Sequence, residues 1–390
     1  MNHPRRGKIK TFLSWLLIAE LVLQSISFIR YIQAKKNEAF RDQQRLEKNW
    51  FLRDTNSDWW TKEISTLYAE YHPFLGWLTR PIKTEHIQVN KEGIRHTTNI
   101  DSNDIQKQAI YTFGGSTMWG VFVPDNQTIP SYISQKLNDP NPKFTIVNYA
   151  QIAHNSNQEL IYLTLLLKEG KIPNVAIFYD GCNDLFVNRV PGKQTTMLYE
   201  NRIKSLLGNM WRFINPDPII NQSLLNGNLL RDAIRYIPKY IKLIHYPYML
   251  LTRIFQKSTN TADDAEKNFI NPIPERIAQT YAQNALMIEA LSRAYNFRYL
   301  LAWQPIIFTK AAKSADEKAL LTYDKMHPEL LYRLATRRLR EMELKKFYDL
   351  TNIFDKIDQS IFIDECHVTP QGNQIIAEKL VEILKTDYGL

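Results

Sequence analysis

A chain of 390 residues with 44% hydrophobic and 23% charged residues has an ordinary globular mix, which excludes a mainly disordered, collagen-like or polytopic membrane protein. Two cysteines, Cys182 and Cys366, are too few for a disulfide-built scaffold or an all-cysteine zinc site, so no structural metal is expected. The formal charge of +9 admits nucleic acid, an anionic membrane surface or an acidic substrate as partner, and its distribution has to decide.

Residues 1–36 read as a cytoplasmic tail and a transmembrane anchor. Thr11 to Phe28 form a mainly apolar run that as a helix would be about 27 Å long, just short of the roughly 30 Å hydrocarbon core. Arg5, Arg6, Lys8 and Lys10 precede it, the positive-inside arrangement that places the rest of the chain outside the cytoplasm, in the periplasm or at the cell surface. No small-x-small cleavage site follows, which favours an uncleaved anchor. Glu20, Gln24 and the basic residues Arg30, Lys35 and Lys36 leave a buried amphipathic helix open.

Residues 37–104 read as a stalk, helical to about Ser65, followed by short strands and turns around Tyr71–Trp77 and Val89–Arg95. From residue 105 to 390 short apolar strands alternate with longer helical patterns, the mark of a parallel sheet covered by helices on both faces. Strands are expected over Ala109–Phe113, Phe144–Tyr149, Val175–Tyr179, Tyr299–Trp303 and Phe347–Asn352. Helices are expected over Pro130–Leu137, Gln158–Lys168, Pro274–Ala294 and Gly372–Leu384. A helical insertion over 187–270 carries most of the charge: between Arg189 and Lys257 eleven Lys or Arg face three acids, with Trp211, Phe213, Tyr236, Tyr240, Tyr246, Tyr248 and Phe255 among them. Basic plus aromatic suits a membrane interface as well as nucleic acid. A nucleic-acid partner is the weakest of these readings and is not expected.

In an open parallel sheet, ligands bind where strands end and helices begin. Three such loops read Phe113-Gly-Gly-Ser-Thr-Met-Trp-Gly120, Asn148-Tyr-Ala-Gln-Ile-Ala-His-Asn-Ser156 and Tyr179-Asp-Gly-Cys-Asn-Asp184, and a fourth element reads Ile363-Asp-Glu-Cys-His-Val-Thr-Pro-Gln-Gly-Asn373. Five of only thirteen glycines fall in these pieces. Ser116, behind two glycines at a strand end, occupies a nucleophile's position. Asp364 and His367, three apart, supply an orienter and a base for its proton. Asn183 carries an amide donor for a developing oxyanion, or caps a helix. Gly-Gly-Ser-Thr lacks the remaining residues of both phosphate-binding glycine motifs, and Met118 stands where the Gly-x-Ser-x-Gly elbow needs glycine. His154, His245 and His327 read as packing or surface residues, and Asp184 as a brace of its loop.

In this order and spacing the four pieces resemble the SGNH (GDSL-like) hydrolase superfamily, over about Ile105 to Leu384 with the insertion unmatched. The resemblance implies a three-layer α/β/α sandwich around a flavodoxin-like parallel sheet of about five strands, and a serine esterase needing neither metal nor organic cofactor. It further implies catalytic Ser116, His367 and Asp364, and an oxyanion hole of Ser116, Ala153 and Asn183. Ala153 stands where the family has glycine, so the donor at that position is expected to survive only if φ is negative there. The expected substrates are acyl esters of the cell envelope, O-acetylated glycans or lipids. The alternative is an acyltransferase or a catalytically silent component of an envelope polysaccharide assembly. Cys182 and Cys366, beside Asn183 and His367, read as two buried thiols, or as a disulfide if the domain is extracytoplasmic.

Overall fold

In a computed structural model of the protein the described residues are 14–30, 32–33, 50–54, 58–98, 108–140, 142–188, 197–198, 272–321 and 327–390. The chain divides into two units, Met1–Lys48 with Asn201–Ala265, and Asn49–Glu200 with Glu266–Leu390. The expected insertion lies almost wholly outside the described residues, and so does His245. In the first unit residues 14–30 are helical, with apolar side chains exposed, Trp15 at 66% and Phe28 at 65%. Among the described residues no helix is long and apolar enough to cross a membrane.

The second unit opens with α1 (Trp50–Asp54) and α2 (Asp58–Ile64), a hairpin of β1 (Ala69–His72) and β2 (Gly76–Thr79), and a short pair, β3 (Ile82–Lys83) and β4 (Gln88–Val89). There follow β5 (Gln108–Gly114), α3 (Ser116–Trp119), α4 (Ile129–Asn138), β6 (Phe144–Asn148), α5 (Ser156–Lys168), β7 (Val175–Asp180) and α6 (Cys182–Asn188). The remainder is α7 (Pro272–Tyr295), β8 (Arg298–Trp303), α8 (Ala315–Leu320), α9 (Pro328–Glu341), β9 (Phe347–Asp349) and α10 (Pro370–Tyr388).

Five of these strands form one parallel sheet in the order β6-β5-β7-β8-β9. Numbered along the chain that is 2-1-3-4-5, the doubly wound, flavodoxin-like order. β5 and β7 are adjacent at its switch point, with Gly114 opposite Tyr179. All six residues of β7 are buried, because helices shield both faces. α5 and α7 cover the face of Tyr111, Phe113 and Phe178. Successive side chains alternate, so Ile110 and Ile177, also fully buried, lie on the opposite face. α4 packs on α10, whose Ile376, Leu380 and Leu384 are buried.

Each expected strand of this sheet is present. β9 stops three residues early, because Asp349 Oδ1 accepts from Thr351 N at 2.9 Å and turns the chain away. α10 begins at Pro370 rather than Gly372, since the Thr369 hydroxyl caps it by accepting from Gly372 N.

Candidate active site

Ser116 opens α3 directly after β5 and is 8% exposed. Two glycines precede it for a steric reason: a Cβ on Gly115 would collide with the Asn183 amide, and one on Gly114 would strike Met118. At the other end of α3, Gly120 is left-handed and its N–H returns to Ser116 O at 2.9 Å. The fully buried Arg95 clamps this turn, donating from Nη1 to Gly120 O at 2.6 Å, from Nη2 to Val123 O at 2.7 Å and from Nε to Asp125 Oδ1 at 2.8 Å. Its guanidinium also lies 4.1 Å from the Trp119 ring.

The block 361–368 is a tight loop closed by the Phe362–Val368 bridge and by Ile363 N donating to His367 O at 2.8 Å. Asp364 Oδ1 accepts from Cys366 N at 2.9 Å and His367 N at 2.8 Å, so the carboxylate organises the loop that carries the imidazole. Its Oδ2 lies 2.6 Å from His367 Nδ1, and His367 Nε2 lies 2.8 Å from Ser116 Oγ, across 251 residues of chain. With the proton on Nδ1, the imidazole donates to Asp364 and accepts from the serine hydroxyl. Burial opposes a charge on His367, but the Asp364 carboxylate and the neighbouring Cys366 together lift the imidazole well above the usual histidine value. Burial likewise opposes the charge on Asp364, yet His367 and the two loop N–H groups hold it below the usual carboxylate value.

The loops of Ala153 and Asn183 lie next to the nucleophile's turn, since a Cβ on Gly115 would meet Asn183 Nδ2 and His154 O. The Ser116 N–H is the first of α3 and has no partner within the helix. Ala153 lies in a turn closed by His154 N donating to Gln151 O at 3.2 Å, and among the described residues nothing accepts from its N–H. The condition of a negative φ is not met: Ala153 has φ 65°, the left-handed region its turn demands and glycine takes more easily. Alanine keeps the N–H in that conformation, so what changes is backbone strain rather than the donor. Asn183 Nδ2 donates to His154 O at 2.6 Å, which fixes the amide and leaves its second N–H. Gly181 before it has φ 135°, and a Cβ there would meet the Tyr332 hydroxyl.

The β1–β2 hairpin braces the Ala153 loop. Trp77 Nε1 donates to Ile152 O at 2.8 Å, Thr79 N to Gln151 Oε1 at 2.8 Å and Gln158 Nε2 to Leu75 O at 2.6 Å. His154 Nε2 contacts Trp77 O at 3.0 Å, and burial pushes this histidine down to about 3, so it is a neutral packing residue. His327 is left-handed and stands just before α9. Asp184 braces its loop by accepting from Ser156 Oγ at 2.5 Å. Asp184, Asp180, Glu159 and Tyr281 gather in the interior beneath α6. Burial, together with the mutual repulsion of these carboxylates, pushes the Glu159 and Asp180 carboxyls well above the usual range.

Cys182 and Cys366 are free thiols in one apolar cluster, and burial pushes the Cys182 thiol up. Asp364, Cys366 and His367 bring three possible ligand atoms within 4.8 Å of one another. The 2.6 Å approach of Nδ1 to Oδ2 is a hydrogen bond, and a metal on Nδ1 would have to break it. This donor set therefore fits a charge-assisted Asp–His pair better than a metal. Sequence reasoning missed Arg95, the hairpin brace and Phe122. The Phe122 ring stands edge to face on His367 at 5.5 Å, and no spacing or motif announces it.

No protein family model matches the chain, and no curated protein sequence does. Among solved structures it is similar to an acetyl xylan esterase, at 11% identity over 71% of this chain and 99% of that one, with a TM-score of 0.38. It is also similar to a lipolytic G-D-S-L family protein from Veillonella parvula, at 10% identity over 72% and 99% of the two chains and a TM-score of 0.38. A third is a psychrotrophic esterase from Pseudoalteromonas sp., at 10% identity over 73% and 100%, with a TM-score of 0.36.

Proposed function

We propose that the protein is a serine ester hydrolase of the SGNH (GDSL-like) type. One observation carries this reading: Ser116 Oγ, His367 and Asp364 form a continuous hydrogen-bonded chain of 2.8 and 2.6 Å at the switch point of the sheet. In the mechanism this supports, Ser116 Oγ attacks the ester carbonyl as His367 Nε2 takes its proton. Asp364 holds the tautomer and stabilises the imidazolium. The N–H groups of Ser116, Ala153 and Asn183 receive the oxyanion. His367 hands the proton to the leaving alcohol, then draws one from water, which releases the acid and restores Ser116.

The substrate reading is an acyl ester of the cell envelope, on a glycan or a lipid. Membrane attachment through residues 11–28 is supported by the exposed apolar side chains of helix 14–30, with the 189–257 segment as a second contact. The catalytic domain then stands outside the cytoplasm. Ester panels of short and long acyl chains, run on the full chain, test both parts. Ser116→Ala is expected to lower turnover about a thousandfold or more with the fold intact, and activity retained in that variant removes the assignment. A preference for acetyl over long acyl esters favours the glycan, and the reverse favours the lipid.

A further inference from the structure

In the tetrahedral species of an ester hydrolysis, one carbon carries the serine oxygen, the oxyanion, the acyl group and the alcohol oxygen. The oxyanion sits at its donors. The alcohol oxygen must face His367 Nε2, because that nitrogen delivers its proton. The alcohol of the substrate therefore lies on the imidazole side of the site, away from Ala153 and Asn183.

Phe122 borders that side. Its ring meets the imidazole edge to face, with centroids 5.5 Å apart and planes at 82°. It is carried by the loop that leaves the nucleophile, where Val121 N donates to Ser116 O at 3.0 Å. The same loop therefore leads from the nucleophile to a ring packed on the imidazole, whose Nδ1 is taken by Asp364. Behind the Phe122 ring stands Trp60, fully buried, at 5.1 Å. Phe122 itself is only partly buried. Its φ of 71° is a strained conformation for a side chain of this bulk, and Gly or Asn would make the same turn without strain. The folding of the turn therefore does not account for an aromatic ring here.

We propose that Phe122, backed by Trp60, is the specificity-determining wall of the alcohol subsite. It selects esters whose alcohol presents a flat apolar face, a pyranose ring or an aryl group, over small flexible alcohols. This rests on the hydrolase reading above and deepens it. A partly exposed ring packed on the imidazole gives such a face a surface to lie on, as apolar and aromatic walls do in ligand clefts.

The test is a crossed ester panel on full-length protein and the variants Phe122→Ala and Phe122→Leu. One arm varies the alcohol at fixed acetyl (ethyl acetate, phenyl acetate, a singly acetylated methyl glucoside), and the other varies the acyl chain at fixed p-nitrophenol. Phe122→Ala is expected to lower kcat/KM for the ring-bearing acetates about tenfold or more relative to ethyl acetate, chiefly through KM. The order of preference along the acyl series stays as in the parent. A drop confined to the glucoside or to the aryl ester supports the wall and names which ring it serves. Phe122→Leu, which keeps bulk but not flatness, shows the same ordering and answers the question if the alanine variant does not fold. Equal losses on all alcohols with a shifted pH profile would mean that Phe122 merely supports His367, and unchanged alcohol preference would mean that it does neither; both overturn the proposal. Fluorophosphonate labelling of Ser116 separates the two readings: failure to label the parent protein removes the hydrolase reading itself, whereas intact labelling with unchanged alcohol preference removes the wall alone.

Discussion

His367 sits under two opposed pressures, and the groups that favour its charge, Asp364 and Cys366, prevail over burial. A base works only when neutral, so kcat/KM is expected to rise with pH through an apparent pKa above the ordinary 6.5 or so of histidine. Asp364→Asn is expected to bring that limb down while lowering kcat by orders of magnitude, which a pH–rate profile measures. The same shift bears on folding. A histidine raised in the folded state contributes stability fully below its unfolded pKa and loses it as pH rises through the folded one. Glu159 runs the same way from a lower pH, because its raised carboxyl makes the native chain bind a proton the unfolded chain releases, so stability falls as pH rises above about 4.3. Glu159→Gln is expected to flatten that slope, its thermal midpoint gaining on the parent's between pH 4 and 7. Ala153, left-handed where glycine is at ease, gives a third expectation: Ala153→Gly stabilises by up to about 1 kcal/mol in chemical denaturation and keeps its activity, since the N–H is retained.

At the scale of elements, the loop 361–368 is held from outside. Glu317, fully buried on α8, accepts from Ile361 N at 2.9 Å, Phe362 N at 3.0 Å and Lys310 Nζ at 2.6 Å, and Lys310 also donates to Gln359 O at 2.7 Å. Glu317→Gln leaves a buried ammonium without its counter-charge and is expected to cost about 3–5 kcal/mol in denaturant unfolding. These clamps explain what the sequence did and did not disclose. The strands of the main sheet were legible because a sheet shielded on both faces needs unbroken apolar runs, as in Val175–Asp180. Ser116, Asp364 and His367 were legible because each lies in a compact motif beside a strand or helix end. The helix Pro328–Glu341 was not, since Arg333, Arg337, Arg338 and Arg340 dilute its apolar face of Leu331, Ala335 and Leu339. Arg95, Glu317 and Phe122 act through approaches made only in the folded chain, and neither neighbours nor spacing mark them.

For the molecule as a whole, the order 2-1-3-4-5 puts the carboxyl ends of β5 and β7 side by side, which is why Ser116 and Asn183 meet at all. The anchor reading makes its own prediction at this scale. Full-length protein is expected to co-sediment with lipid vesicles in high salt, and a chain lacking residues 1–36 to do so far less; equal recovery of both would count against residues 11–28 as the attachment. In the hydrolase reading the base and its orienting carboxylate ride on one short loop, while the nucleophile and the proposed oxyanion donors are built on the sheet and its other loops. Displacing that single loop would remove both proton-handling groups in one stroke and leave the cradle intact. On that reading a protein so altered would still grip its ester and never cut it, a receptor made from an enzyme by moving one loop.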